Sequence, residues 1–366
     1  MIEITGKYNI ADVYAESIEP GAVGLIQALC NSPASEGATI CVMPDVHPGK
    51  GCCVGTTMAI KDRVPPGLVG VDIGCGMLCV KLDCKRLELE KLDKVVHEKL
   101  PANRSGRNSI HRFADNIDLG ELRCARHIRR EKALSALGTL GGGNHFVEVD
   151  RDSEGAFWLV IHSGSRILGV DVEKFYHDLA AETCPKEVPY ELAYLTGSAK
   201  DDYIHDVLVA CRFADQSRLA MADEICKAMK AGGADRFTTL HNYIDYDEEI
   251  VRKGAVSAQM GERLIIPMNM RDGCLLCVGK GNEDWNCSAP HGAGRLLSRS
   301  DAKASLTLSQ FKREMNHVYS TSVSRATIDE SPMAYKPMAS ILSQIEPTVE
   351  VADRLIPVYN YKAGVE

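Results

Sequence analysis

The chain has 366 residues, a formal net charge of -8, 45% hydrophobic and 25% charged residues, ordinary values for a globular protein with a sizeable core. The acidic balance excludes a protein that coats nucleic acid through bulk basicity, so any nucleic-acid partner has to be held by local arginines. No run of 18 apolar residues occurs and MIEITGKYNI has no basic stretch followed by an apolar one, so neither a membrane span nor a signal peptide is expected and the chain reads as cytoplasmic.

In chain order, the apolar patterning predicts a helix over 20–31, strands over 39–43 (TICVM), 56–60 and 77–82, and a second helix over 86–99. Strands follow at 145–149 and 157–162, then a long helix over 201–231, strands at 263–267 and 274–278, and a last helix over 307–316. In the long helix Ile204, Val207, Leu208 and Cys211 fall at helical spacing, Asp201 or Asp202 can cap the start, and Gly232-Gly233 end it. No repeat, low-complexity tract or linker divides the chain, so a single domain over 1–366 is expected. Strands and helices do not alternate regularly, which favours α+β over a doubly wound sheet.

Fourteen cysteines are spread along the chain, the usage of reduced thiols rather than of a disulfide scaffold. The CxxC at Cys274 and Cys277 lies in the apolar run CLLCV. A strand with core thiols explains it better than half of a zinc site, which needs a second pair.

The eleven histidines divide by context. Those at 97, 111, 127, 177, 205 and 317 have charged or helix-forming neighbours and read as solvated or helix-face residues. His47, His145, His162, His241 and His291 sit instead in small-residue turns, as a ligand does when it meets a metal or phosphate at close backbone approach. GVDIGCGM (70–77) adds Asp72 and Cys75. Oxygen, sulfur and nitrogen donors together suit a transition-metal site, and a thiolate has lone pairs enough to bridge two ions. Softness nominates Zn²⁺ for a Cys/His set, while a carboxylate and an open coordination shell also admit Mn²⁺. SGSR (163–166), HGAGR (291–295) and GGGN (141–144) supply backbone N–H groups for an oxyanion, and Arg166 and Arg295 offer a bidentate grip on phosphate.

In MPDVHPGKG (43–51), VGVDIGCGM (69–77), GTLGGGNHFVEV (138–149), IHSGSRILG (161–169), HNYID (241–245), RKGA (252–255), HGAGRLLSR (291–299) and YNYKAG near the end, the chain resembles the RtcB-type RNA ligases. The motifs run in the family's order through nearly the whole chain. The resemblance implies a fold of mixed and antiparallel sheets flanked by helices around a central metal cleft. It also implies a 3′-phosphate/5′-hydroxy nucleic acid ligase that uses GTP and two Mn²⁺ ions to join 2′,3′-cyclic phosphate or 3′-phosphate RNA ends to 5′-hydroxyl ends.

Carried over by position, Cys75 is the thiolate shared by both ions, Asp72 and His145 complete one set, and His162 and His241 complete the other. His291 is the nucleophile that accepts GMP, with Asn144, Arg166 and Arg295 on phosphate. Phe146, Glu148, Tyr335 and Lys362 surround the guanosine, and Asn242, Pro267, Asn269, Cys274, Gly292, Ala293 and Gly294 complete the nucleotide site. Without the resemblance, Tyr335 and Lys362 read as a solvated pair near the C-terminus. The implied partners are RNA ends (tRNA halves or cleaved rRNA or tRNA), GTP and an archease-like or repair-associated protein, with no membrane.

The chain departs from the family at MNMRDG (268–273), where a glycine-serine-methionine-glycine turn is usual, and at Cys274, where a second serine is usual. Guanine preference and the choice between RNA repair and tRNA splicing therefore stay open. Two other readings stand beside the ligase: a metal-dependent cyclic phosphodiesterase or phosphoesterase without ligation, and an RNA-end binding protein. His291 discriminates, since a hydrolase does not require it.

Overall fold

A computed structural model describes residues 1–103 and 105–364. The predicted strand runs lie in two sheets, and the α+β expectation holds. The first sheet is mixed, in the order Ile2–Thr5, Ile10–Val13, Ile40–His47, Val54–Ala59, Ile250–Lys253 and Asn242–Asp245, with a parallel pairing only between the second and third strands. The second has seven strands in the order Arg236–Leu240, Gly76–Leu82, Phe157–Ser163, Phe146–Arg151, Val349–Lys362, Gly273–Gly279 and Arg263–Asn269, all paired antiparallel. The CLLCV run is a strand with Cys274 and Cys277 fully buried, as its composition implies.

The long helix runs from Gly197 to Met229, one turn earlier than its acidic residues suggest, and ends at Lys230 in the left-handed conformation. Val207, Ala210, Phe213 and Ala214 on it are fully buried, each large apolar side chain contributing about 1.5–3 kcal/mol of burial. The helix packs on Phe157–Ser163 and Gly76–Leu82, the strands that lead to the site. Arg218, also on this helix and fully buried, donates through Nη1 to the carbonyls of Gly74 at 2.8 Å and Ser163 at 2.7 Å. Gly74 has φ +71°, and a Cβ there would stand 2.8 Å from the Cα of Cys211. The bare backbone of GVDIGCGM is thus what lets the loop lie against the helix.

Two elements depart from the apolar pattern. Residues Ile167–Thr183 form a 17-residue helix that the sequence does not announce, because it buries Asp171, Glu173 and His177 among its apolar positions. His177 is accordingly not solvated: Glu173 and the carbonyl of Tyr190 hold its two ring nitrogens. The 14-residue strand Val349–Lys362 escapes the period-2 pattern because its register shifts beside Pro357. Among the described residues no helix is long and apolar enough to cross a membrane.

Candidate active site

Four neighbouring strands of the seven-stranded sheet bring their ends to one place. Cys75 precedes Gly76–Leu82, His145 precedes Phe146–Arg151, His162 closes Phe157–Ser163, and His241 follows Arg236–Leu240. Antiparallel pairing aligns these ends, with Met77 opposite His162, His162 opposite Phe146 and Gly76 opposite Leu240. His241 is also the residue at which the chain crosses to the other sheet, and its N–H donates to the carbonyl of Cys75 at 2.9 Å.

The donor atoms form two triads with Cys75 in common, Asp72–Cys75–His145 and Cys75–His162–His241. Cys75 Sγ lies 3.4 Å from His145 Nε2 and 3.2 Å from His162 Nε2. His145 Nε2 is 3.1 Å from Asp72 Oδ2, and the Nε2 atoms of His162 and His241 are 3.2 Å apart. Ligand atoms on a tetrahedral ion at ordinary bond lengths stand roughly 3.3–3.6 Å apart, so these triads have the size of ion sites. The chemistry fits as well: imidazole nitrogens that converge on one another with a thiol expose lone pairs that a shared cation satisfies. His162 Nδ1 meets the carbonyl of Asn144 at 3.2 Å, the outer partner that orients a ligating imidazole. Burial pushes His162 and His241 down, which keeps their imidazoles neutral as metal ligands must be, and pushes the Cys75 thiol up, a cost that a bound cation would offset by favouring the thiolate.

A cleft opens beside the triads, and His162 belongs to its wall. His291 lines it, its ring centroid 4.9 Å from that of His241. Its Nδ1–H donates to Asp45 Oδ2 at 2.7 Å, and Asp45 is fully buried. The pairing leaves Nε2 as the nitrogen with a free lone pair.

Asn144, Phe146, Glu148, Pro267, Asn269, Gly292, Ala293, Gly294, Arg295, Tyr335 and Lys362 line the same cleft. Lys362 is buried rather than solvated; its Nζ donates to Glu330 at 2.6 Å and stands 5.5 Å from the Phe146 ring centroid. Tyr335 donates to the same oxygen, its hydroxyl 2.6 Å from Glu330 Oε2. Burial pushes the Glu330 carboxyl up, but Lys362 and Arg299 outweigh it and bring it down to about 2.

Three of the predicted residues lie elsewhere. Cys274 is fully buried behind Glu148, its Sγ 3.5 Å from Oε1. Asn242 binds the carbonyl of Asp72 and the N–H of Gly254 and does not line the cleft. Arg166 is also outside the cleft and donates to Thr139 Oγ1 at 3.2 Å and to the Asn103 carbonyl. Its guanidinium and the His145 ring both close on Gly141, where φ is +88° and a Cβ would strike the two of them. Arg295 lines the cleft but spends its guanidinium on the carbonyls of Leu297 and Asp329 and on Glu330. His47, singled out by its context but given no role, also lines the cleft. Motif reading misses Asp45, Arg299, Glu330 and Asn360. Asp45 carried a signal, since it sits two residues before His47 in MPDVHPGKG, at the end of the strand Ile40–His47.

A family profile for tRNA-splicing ligase RtcB matches residues 31–119 and 112–363. The chain is 34% identical to RNA-splicing ligase RtcB of Escherichia coli strain K12 over 85% of this chain and 87% of that protein. It is 26% identical to tRNA-splicing ligase RtcB of Nanoarchaeum equitans over 82% and 83% of the two chains. With the profile running through the strand ends that carry both triads and through the cleft, the chain belongs to the RtcB family.

Proposed function

We propose that this chain is a GTP- and Mn²⁺-dependent RNA ligase that joins 2′,3′-cyclic phosphate or 3′-phosphate RNA ends to 5′-hydroxyl ends through a histidine–GMP intermediate. The observation that carries the reading is His291, held by Asp45 on the wall of the cleft and adjacent to His241 of the paired triads. A metal-dependent phosphoesterase does not require an imidazole nucleophile at that position.

In the reaction, His291 Nε2 attacks the α-phosphorus of GTP, forming a P–N bond as pyrophosphate leaves. Asp45 accepts the Nδ1–H bond throughout and offsets the positive charge that the imidazole gains. After hydrolysis of any cyclic phosphate, an oxygen of the RNA 3′-phosphate attacks the same α-phosphorus and His291 departs as neutral imidazole. The 5′-hydroxyl then attacks the RNA phosphorus, and GMP leaves. Asp72, Cys75 and His145 would hold one divalent ion and Cys75, His162 and His241 a second, which would supply charge neutralisation at the phosphoryl oxygens. Phe146 and Tyr335 give the base apolar faces, the Glu148 carboxylate accepts from its N–H edge and Lys362 donates to a carbonyl.

Incubation with α-labelled GTP and Mn²⁺, followed by denaturing electrophoresis, tests the proposal: one label per chain is expected, together with joining of a 3′-phosphate RNA to a 5′-hydroxyl RNA. A protein that is never labelled yet opens cyclic phosphates replaces the ligase by the hydrolase. Arg166→Ala is expected to reduce ligation about 10–100-fold, the scale of losing a group that supports a metal ligand, since its guanidinium packs beside the His145 ring. Its unfolding midpoint should move by only a few degrees, and comparable losses of activity and thermal stability would make Arg166 a structural strut instead.

A further inference from the structure

Asp150 lies on the same face of its strand as Glu148, one pleat further from the cleft, and is fully buried. Neither of its carboxyl oxygens accepts a hydrogen bond from a donor among the described residues. Its ligand-type neighbours are Glu148 and Cys274, the three side chains' polar atoms all lying within 4.8 Å of one another. Two buried carboxylates at that separation cannot both stay ionised without a cation between them, so one of them carries a proton.

The surroundings decide which one. Glu148 accepts from the Asn360 amide and from the Cys274 thiol and feels the charge of Lys362. Asp150 has no such support: Cys79, from Gly76–Leu82, is neutral, Trp158 across the ladder gives its Nε1–H to Asp152, and Arg263 is paired with Asp235 at 2.7 Å. Lys362 itself is engaged by Glu330.

We propose that Asp150 is a positioning residue that holds the proton of a carboxylic acid–carboxylate pair and donates it to Glu148, keeping Glu148 the anion that selects guanine. The inference rests on the nucleotide reading of the cleft and deepens it. Guanine presents two adjacent donors, ring N1–H and the exocyclic amine, which an anionic carboxylate accepts together. Adenine presents an acceptor beside a donor, which a neutral carboxyl suits instead. The protonation state of Glu148 therefore discriminates the two purines. Burial raises both groups, Glu148 to about 7 and Asp150 well above the usual carboxylate range, where the neighbouring Glu148 charge adds to the effect. Glu148 becomes the anion as pH rises through about 7 while Asp150 keeps its proton, and GTP affinity rises over the same interval.

Two measurements test this. In the nucleotide-free protein at pH 8, the infrared carbonyl band of a protonated carboxyl is expected in wild type and is expected to be lost in Asp150→Asn. Absence of that band from wild type overturns the pair, whatever the nucleotide. In titrations with GTP and ATP across pH 6–9, Asp150→Ala is expected to shift the midpoint for GTP binding upward and to lose about tenfold in GTP-over-ATP preference at pH 7. Asp150→Asn, whose amide still donates to Glu148, is expected to keep the wild-type preference. An alanine variant that matches wild type in midpoint and preference overturns the proposal. So does a metal ion retained in Cys75→Ala but released by Asp150→Asn, which would make the cluster a third ion site. Wild-type protein that shows the carboxyl band but binds neither GTP nor ATP defeats the nucleotide reading and the selection role with it, and leaves the proton-sharing pair standing.

Discussion

His291→Ala is expected to abolish covalent labelling by GTP while the protein keeps its metal. His291 shares no donor contact with Cys75, so both triads survive its loss, and removal of a nucleophile costs a factor on the order of 10³ or more. The adduct in the wild type should be cleaved by acid and resist alkali, because the bond is phosphorus to nitrogen. Asp45→Asn is the companion variant. An amide facing Nδ1 favours the wrong tautomer, placing the proton on the attacking nitrogen, a change worth on the order of 10²–10⁴ in rate where the same geometry has been broken elsewhere. Labelling should slow by that order without disappearing. A His291→Ala protein that still becomes guanylylated would remove the nucleophile from this position, and an Asp45→Asn protein with unchanged rate would reduce that contact to packing.

Cys75→Ala is expected to fail in the opposite order, losing metal first and labelling as a consequence. Wild-type protein under saturating Mn²⁺ should hold two ions per chain, because the two triads have separate members on either side of one sulfur. Outer partners of a metal ligand already cost 10–100-fold in affinity when removed, so loss of the shared ligand itself should weaken both ions by more than about 100-fold. Asp72→Ala and His241→Ala should each weaken one ion preferentially. Metal titration with elemental analysis reads these differences, and circular dichroism checks that each variant is folded. A single tightly held Zn²⁺ that ignores Cys75→Ala would overturn the two-ion arrangement.

The strands that line the site were legible because each is a short apolar run bounded by glycine, asparagine or aspartate. The donors were legible because Asp72, Cys75 and four of the histidines stand in turns stripped of side chains. These are local signals: period, capping and the chemical type of a residue in a bare turn do not depend on what lies far away in the chain. Where the local signal was blurred, the reading failed. Residues Ile167–Thr183 mix buried charge into their apolar face, and Val349–Lys362 slips register at Pro357, so neither matched its template.

Proximity between distant segments was decided only in three dimensions. Asp45 and His291 are 246 residues apart and meet because the 40–47 strand and the HGAGR turn close on one another. Lys362, near the C-terminus, becomes a buried cation because Glu330 and Tyr335 fold over it. Asp150 becomes a buried acid without a donor of its own because the strand pairings set Trp158 and Pro357 beside it and leave, among the described residues, Glu148 and Cys274 as its ligand-type neighbours. Sequence by itself determined which atoms are available to bind a metal or attack a phosphate, since that is a property of residue types and their immediate turns. Which of them share a proton, a cation or a cleft follows from strand order and register, and these are settled by long-range packing that no local pattern records.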